Sequence, residues 1–290
     1  MSKPLIEPIQ ELRTIIDRYD AIISDVWGVL HNGVAATHGA QEALIEARKL
    51  GKPVSLLTNA PRLPHLVVEQ LRSFGIADNA YDDLISSGGV TRELLGREGD
   101  TSFFFLGPER DSTLHAGLPL LRTDFDKAEF ILCSGLFNDE EEQAEDYRAM
   151  LETALSRNMR FYCANPDLIV ERGDRLIPCA GALADLYERM GGDVIWVGKP
   201  KPLVYAEARK ALTNALGRVP DSRRVLCIGD ALRTDIAGAI AGGHDSLMTL
   251  SGIHGHQIGL HGDRHDILAL EQLAEATNTR PTMCMVSLRW

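Results

Sequence analysis

Short apolar runs alternate with helical repeats along most of this chain, and polar residues stand where the runs stop. No other feature narrows the fold as much. The run "AIISDVWGV" (residues 21–29) reads as a strand and a turn. "GAQEALIEARKLG" then places Ala40, Leu44 and Ala47 on one helical face, with Gly51 as a stop. "KPVSLLTNA" is a second strand. "LPHLVVEQLRSFG" is a second helix, with Pro64 in its first turn and Val67, Leu71 and Phe74 on one face. "DLISS" is a third strand. Strand, helix, strand, helix at this rhythm implies a parallel sheet joined by right-handed crossovers.

A second α/β set starts near residue 90, with strands predicted at "SFFFLG" (102–107), "EFILCSG" (129–135) and "RFYCAN" (160–165). A helix is predicted over 138–158, its acidic start suiting the helix dipole. The glutamates there read as a solvated helix start rather than a metal site. The first pattern resumes with strands in "DVIWVGKP", "RVLCIGD" and "DSLMTLSG", and helices in "KPLVYAEARKALTNALG" and "RTDIAGAIAGG". The reading is an α/β fold: a doubly wound domain in two parts, 1–89 and 190–290, interrupted by a smaller α/β domain at 90–189.

Composition removes several function classes. The net charge of −11 argues against nucleic acid and anionic membranes as partners. Any bound phosphate needs locally placed cations. The 5 cysteines are odd in number and show no C-x-x-C spacing, so no disulfide framework or zinc site is expected and a reducing, cytoplasmic setting fits. The first twenty residues lack an apolar h-region, and no run of about 18 apolar residues would span a membrane. The histidine-rich "SGIHGHQIGLHGDRH" reads as a loop, and "RPTMCMVSLRW" as a closing apolar strand.

Four apolar runs end in residues that carry chemistry: Asp25; Thr58 with Asn59; Lys199; and Asp230 followed by Asp235. In open parallel sheets the ligand crevice lies at those ends. A carboxylate can attack phosphorus and split one hard step into two. Its charge repels a phosphate, so a divalent cation is needed, and Mg²⁺ suits a few carboxylates plus water and substrate oxygens. Asp25 and Asp230 would supply direct oxygens, and Asp235 would hold a metal-bound water. Lys199, the Thr58 hydroxyl and the Asn59 backbone N–H would take the phosphoryl charge. Singly, each residue could be a turn or cap residue. As a set they point to phosphoryl transfer.

The motifs "SDVWGVL", "LLTNA", "VGKP" and "IGDALRTD" resemble the four motifs of the haloacid dehalogenase superfamily. The place of the interrupting domain, ending in "CANPDLIVERGDRLIPCAGALADLYERMGGDVIWVGKP", is similar to class IIA. That group includes p-nitrophenyl phosphatases, sugar- and nucleotide-phosphate phosphatases and phosphoglycolate phosphatase. The resemblance runs from about residue 20 to residue 255. It implies a Rossmann-like core with a cap domain, Asp25 as nucleophile, Thr58 and Lys199 as phosphate ligands, and Asp230 with Asp235 for Mg²⁺. It adds the backbone carbonyl of Trp27 as a metal ligand, and Asn165 and Asp167 of "NPD" as the loop facing the leaving group. The expected activity is a Mg²⁺-dependent hydrolase of a small phosphorylated metabolite, sugar- or nucleotide-phosphate-like. A cap of this type can mediate a homodimer.

Trp27 departs from the pattern. Most phosphatases that the chain resembles carry Asp there, to protonate the leaving alkoxide and then activate water. An indole has one donor and no basic site, and losing a general acid/base typically costs about 10²–10⁴ in rate. Three readings follow. One is a phosphatase specialised for acidic leaving groups or using another acid/base, for which His31 is the candidate because its ordinary pKa suits the role; a plain turn residue is the competing reading. Another is a carbon–halogen hydrolase, against which the acidic pair in "GDALRTD" argues. The third is a protein that binds a phosphorylated ligand without turnover.

Overall fold

The computed structural model describes residues 6–99, 101–173, 175–262 and 266–290; His265 of the histidine-rich stretch and the first five residues lie outside them. Strands β1 (Glu7–Pro8), β2 (Ala21–Ser24), β3 (Val54–Thr58) and β4 (Asp83–Ser86) come first in the chain. Next come β5 (Ser102–Leu106), β6 (Leu121–Arg122), β7 (Phe130–Cys133), β8 (Arg160–Cys163), β9 (Ile169–Arg172), β10 (Arg175–Pro178) and β11 (Val194–Trp196). The last are β12 (Val225–Gly229), β13 (Asp245–Thr249) and β14 (Met283–Met285). The α-helices used below are α1 (Ala40–Lys49), α2 (Pro64–Ser73), α3 (Ser87–Leu95), α4 (Arg148–Ser156) and α5 (Ala180–Arg189). The chain forms two compact units: Met1–Thr58 with Val68–Ile85 and Tyr205–Trp290, and Asn59–Val67 with Ser86–Val204.

The first unit holds a seven-stranded sheet in the order β1-β14-β13-β12-β2-β3-β4. Its pairings from β1 through to β3 are parallel. Every residue of β2, β3 and β12 is buried, as expected of strands covered on both faces. Helix α1 buries Ala40, Ala43, Leu44 and Ala47, so its apolar stripe is the one read from the sequence. Gly51 then adopts the left-handed conformation that ends many helices.

The second unit holds a five-stranded parallel sheet, β11-β8-β7-β5-β6, and an antiparallel hairpin of β9 and β10. Alternate residues of β7 enter two cores. Ile131 and Cys133 pack with Leu151 of α4 and Leu183 of α5, while Phe130 and Leu132 pack with Phe103, Phe105 and Leu95 of α3. This period of two places apolar layers on both faces of the sheet. Among the described residues, no helix is long and apolar enough to cross a membrane.

Two sequence expectations change. The run before Lys199 was read as part of the resumed first pattern, but β11 pairs with β8, with Val194 beside Phe161, and so belongs to the second sheet. A three-residue apolar strand carries no local mark of which sheet it joins; pairing across the fold decides. The helix predicted over 138–158 starts later, as a 3₁₀ turn at Ala144–Tyr147 that leads into α4. Gln143 and Asp146 form a reciprocal capping box that fixes this start. The glutamates before it form a turn instead, in which the Asn138 N–H donates to Glu142 Oε2 at 2.7 Å.

Candidate active site

In the first unit, strand register brings the acidic residues together. Ser24 pairs with Ile228, and the Asp25 N–H donates to the Ile228 carbonyl at 2.8 Å. Asp25 therefore sits just past the end of β2, beside the end of β12, where Asp230 follows. Asp25, Asp230 and Asp235 are buried and each offers an oxygen within 4.8 Å of the others. At that separation and an effective dielectric of about 20, each pair of charged carboxylates repels by about 3–4 kcal/mol. A cation among them removes that cost. The donors are all hard oxygens, so the set fits a divalent cation such as Mg²⁺ or Ca²⁺.

Backbone groups hold these carboxylates in place. Asp235 Oδ2 accepts from the N–H groups of Asp230 and Ala231 at 3.2 and 3.1 Å. Asp230 Oδ2 accepts from the Ile253 N–H at 2.9 Å. Two glycines make room for Asp230: a Cβ placed on Gly28 or on Gly252 would overlap its carboxylate. Gly28 also has φ +84°, which an L side chain rarely adopts. Tyr205 lies beneath, its hydroxyl 3.3 Å from the Asp235 carbonyl. Burial, and then the nearby Cys227, Asp235 and Asp25, pushes its phenol well above the ordinary range, so it stays protonated. Sequence reasoning missed Gly252, Ile253 and Tyr205; only the "SG" after β13 hinted that backbone closes over the site. Thr58 is the buried last residue of β3, two residues past Leu56, the partner of Ser24.

The other expected site residues form a cluster of their own in the second unit. Asn59 accepts the Lys199 N–H on Oδ1 at 2.7 Å and donates from Nδ2 to Asp167 Oδ1 at 2.8 Å. Its side chain thus ties two of the predicted residues together. Asn165 Oδ1 accepts the Asp167 N–H at 3.1 Å, which shapes the "NPD" turn. A Cβ on Gly181 would overlap the carbonyls of Pro166 and Asp167, so the turn packs directly on the start of α5. Lys199 is 4% exposed.

Trp27 and His31 occupy a closed turn. His31 is 1% exposed, and its Nδ1 accepts the Gly33 N–H at 3.0 Å. Its ring lies 5.0 Å from Trp27 and 4.8 Å from Phe74, centre to centre. Burial pushes the imidazole down to about 4, so it is neutral at pH 7 with its one basic nitrogen in use. The acid/base role expected of His31 does not fit this environment.

A stability consequence follows. An unfolded histidine titrates near 6.5. Between about pH 6.5 and 4 the unfolded chain binds a proton at His31 that the folded chain does not. The contribution of His31 is therefore complete above about pH 6.5 and is lost as pH falls toward 4; a shift of this size is worth at most about 3 kcal/mol. The difference in urea midpoint between wild type and His31→Phe should shrink across that window. A pH-independent difference would show that His31 is not buried neutral.

A parallel sheet with a buried three-carboxylate cluster past its strand ends, in a chain interrupted by a second α/β unit, is an arrangement shared with a family of hydrolases. The model of the haloacid dehalogenase-like hydrolases matches residues 22–118, and a second, HAD-hydrolase-like model matches residues 196–276. A solved haloacid dehalogenase-like hydrolase from Brucella suis 1330 is 40% identical, with a TM-score of 0.86, over 97% of this chain and 99% of that one. The 5'-nucleotidase YutF of Bacillus subtilis (strain 168) is 25% identical over 81% of this chain and 88% of its own. The ribonucleotide monophosphatase NagD of Escherichia coli (strain K12) is 27% identical over 80% and 88%. The chain belongs to the haloacid dehalogenase-like hydrolases, in the class IIA group that its motifs resemble, and is an enzyme of that family.

Proposed function

We propose that this chain is a Mg²⁺-dependent phosphohydrolase of small phosphorylated metabolites that works through an aspartyl phosphate on Asp25. The convergence of Asp25, Asp230 and Asp235 carries the reading. Mg²⁺ keeps several waters and binds through one or two carboxylates plus substrate oxygens, which matches this donor set. Bound there with the Trp27 carbonyl as a further ligand, it would neutralise charge between the carboxylates and the phosphate. Thr58, the Asn59 N–H and Lys199 are proposed to hold phosphoryl oxygens, with Asn165 and Asp167 toward the leaving group. The nucleotide phosphatases among its relatives support a phosphate monoester as substrate.

The Asp25 carboxylate attacks phosphorus, the P–O bond to the leaving group breaks, and water then hydrolyses the acyl phosphate. Trp27 cannot give or take the proton in either step, and a buried, neutral His31 does not replace it. The favoured substrates are therefore those whose leaving groups depart as stable anions: acyl and aryl phosphates rather than alkyl esters. A panel of acetyl phosphate, p-nitrophenyl phosphate, glycerol phosphate and a nucleoside monophosphate tests this. Turnover should need Mg²⁺, stop with a chelator, and fall steeply as leaving-group pKa rises. Absence of turnover across the panel, with tight Mg²⁺-dependent phosphate binding, would replace the reading with a binding protein. Metal-independent halide release from a haloacid would replace it with carbon–halogen hydrolysis.

A further inference from the structure

In the histidine-rich loop after β13, His256 and His261 are exposed, whereas His254 is half-buried and joined to the scaffold of the carboxylate cluster. Its Nε2 accepts the Leu232 N–H at 3.3 Å. Leu232 opens the single π turn, Leu232–Ile236, that carries Asp235. The first N–H groups of any helical turn have no partner within the turn itself. Here three successive N–H groups are taken by side chains: those of Asp230 and Ala231 by Asp235 Oδ2, and that of Leu232 by His254. The other ring nitrogen of His254, Nδ1, lies 2.5 Å from Gln257 Oε1. With Nε2 accepting, Nδ1 is the donor, so Gln257 selects the tautomer that the turn uses.

The loop that presents His254 is itself anchored. Ile258 is fully buried in the apolar cluster that holds Leu232 and Ile236. The Ile258 N–H donates to the His254 carbonyl at 3.2 Å, and the Gly255 N–H to the Gly252 carbonyl at 2.9 Å. One residue before His254, the Ile253 N–H donates to Asp230 Oδ2, and Gly252 lies against the same carboxylate. Two adjacent residues thus reach both acids. Ile253 holds Asp230 through its backbone, and His254 holds the turn of Asp235 through its ring. A π turn is an uncommon geometry found mostly at functional sites, and the carboxylates gathered here repel one another. Keeping them close before a cation arrives calls for ties from outside the turn. We infer that His254 is a positioning residue for the metal site, fixing Asp235 relative to Asp230 by capping the turn between them. This rests on the proposed metal-dependent activity. His254 acts through the Leu232 backbone and touches neither cation nor substrate.

The test is calorimetric titration of the apo-protein with Mg²⁺ alone. The dissociation constant should rise about tenfold in His254→Ala, the low end of the range for groups that orient metal ligands. His254→Gln, whose amide oxygen can accept the same N–H, should restore most of the affinity. The Mg²⁺ concentration for half-maximal turnover of acetyl phosphate should move in parallel, while kcat at saturating Mg²⁺ changes much less. A merely structural role would lower Tm without separating these two constants. Equal affinity in wild type and His254→Ala, or a Gln variant as weak as the Ala variant, overturns the inference. Should His254→Ala not fold, Gln257→Ala decides: Gln257 is exposed, and its loss should weaken Mg²⁺ binding in the same direction. Asp230→Asn is the control, and binding that survives there places the cation elsewhere and overturns the inference too. A wild type that binds no Mg²⁺ and turns over nothing overturns the metal-dependent reading itself, whereas wild-type binding that is unmoved in His254→Ala removes only the role of His254.

Discussion

In Asp25→Asn, hydrolysis of every phosphate ester should fall by roughly 10⁴–10⁶, the range lost when a covalent enzyme is deprived of its nucleophile or that nucleophile's partner. The amide has nearly the volume of the carboxylate, and the backbone bond from residue 25 to the Ile228 carbonyl is unaffected. The fold is therefore expected to survive while the chemistry does not. Two effects are combined in this loss. The amide oxygen is a poor nucleophile, and it removes one charge from a cluster whose oxygens lie within 4.8 Å of one another. Borohydride separates them. It reduces an acyl phosphate on Asp25 of the wild type to homoserine, visible in the mass of the peptide, and nothing comparable can form on asparagine. Residual activity above about a tenth, or no homoserine at position 25 under turnover, would place the nucleophile elsewhere.

The carboxylate cluster was legible because its signal is local. Each apolar run that ends in Asp25, Thr58 or Asp230 is a strand whose length and composition can be read directly, and parallel pairing in register brings the ends together. Lys199 was legible as a residue but not as a position, because the three residues of β11 could extend either sheet. Strands β1 and β6, of two residues each, carry too little periodicity to register, and β9 and β10 lie largely outside the core, so no buried apolar run marks them. The late helix start at Ala144 did have a mark, the Gln143–Asp146 spacing of a capping box, which the acidic run before it concealed. His31 shows where local reading ends. Its residue type suits proton transfer at ordinary pH, and only tertiary burial between two rings pushes its pKa down to about 4.

Trp27→Asp should raise turnover of alkyl phosphates by about 10²–10⁴, the usual contribution of a general acid/base. Aryl phosphates should gain little, because their leaving groups need no proton. The preference for aryl over alkyl phosphates should therefore narrow. The substitution has a structural cost. It removes the ring contact with His31, worth about 0.5–1.5 kcal/mol, and opens the space over Gly33. Trp27 is only partly buried, so this cost is smaller than for a core tryptophan. The new carboxylate would also lie near an imidazole now held down to about 4, and its charge should draw that value upward. The stability lost between about pH 6.5 and 4 would then be smaller than in the wild type. Rates normalised to folded protein separate chemistry from stability, and a bell-shaped pH profile for glycerol phosphate would identify the new acid/base. If alkyl turnover in the folded variant rises less than tenfold, the missing proton donor is not what limits this enzyme. The leaving group would then be set by the shape of the site rather than by its chemistry.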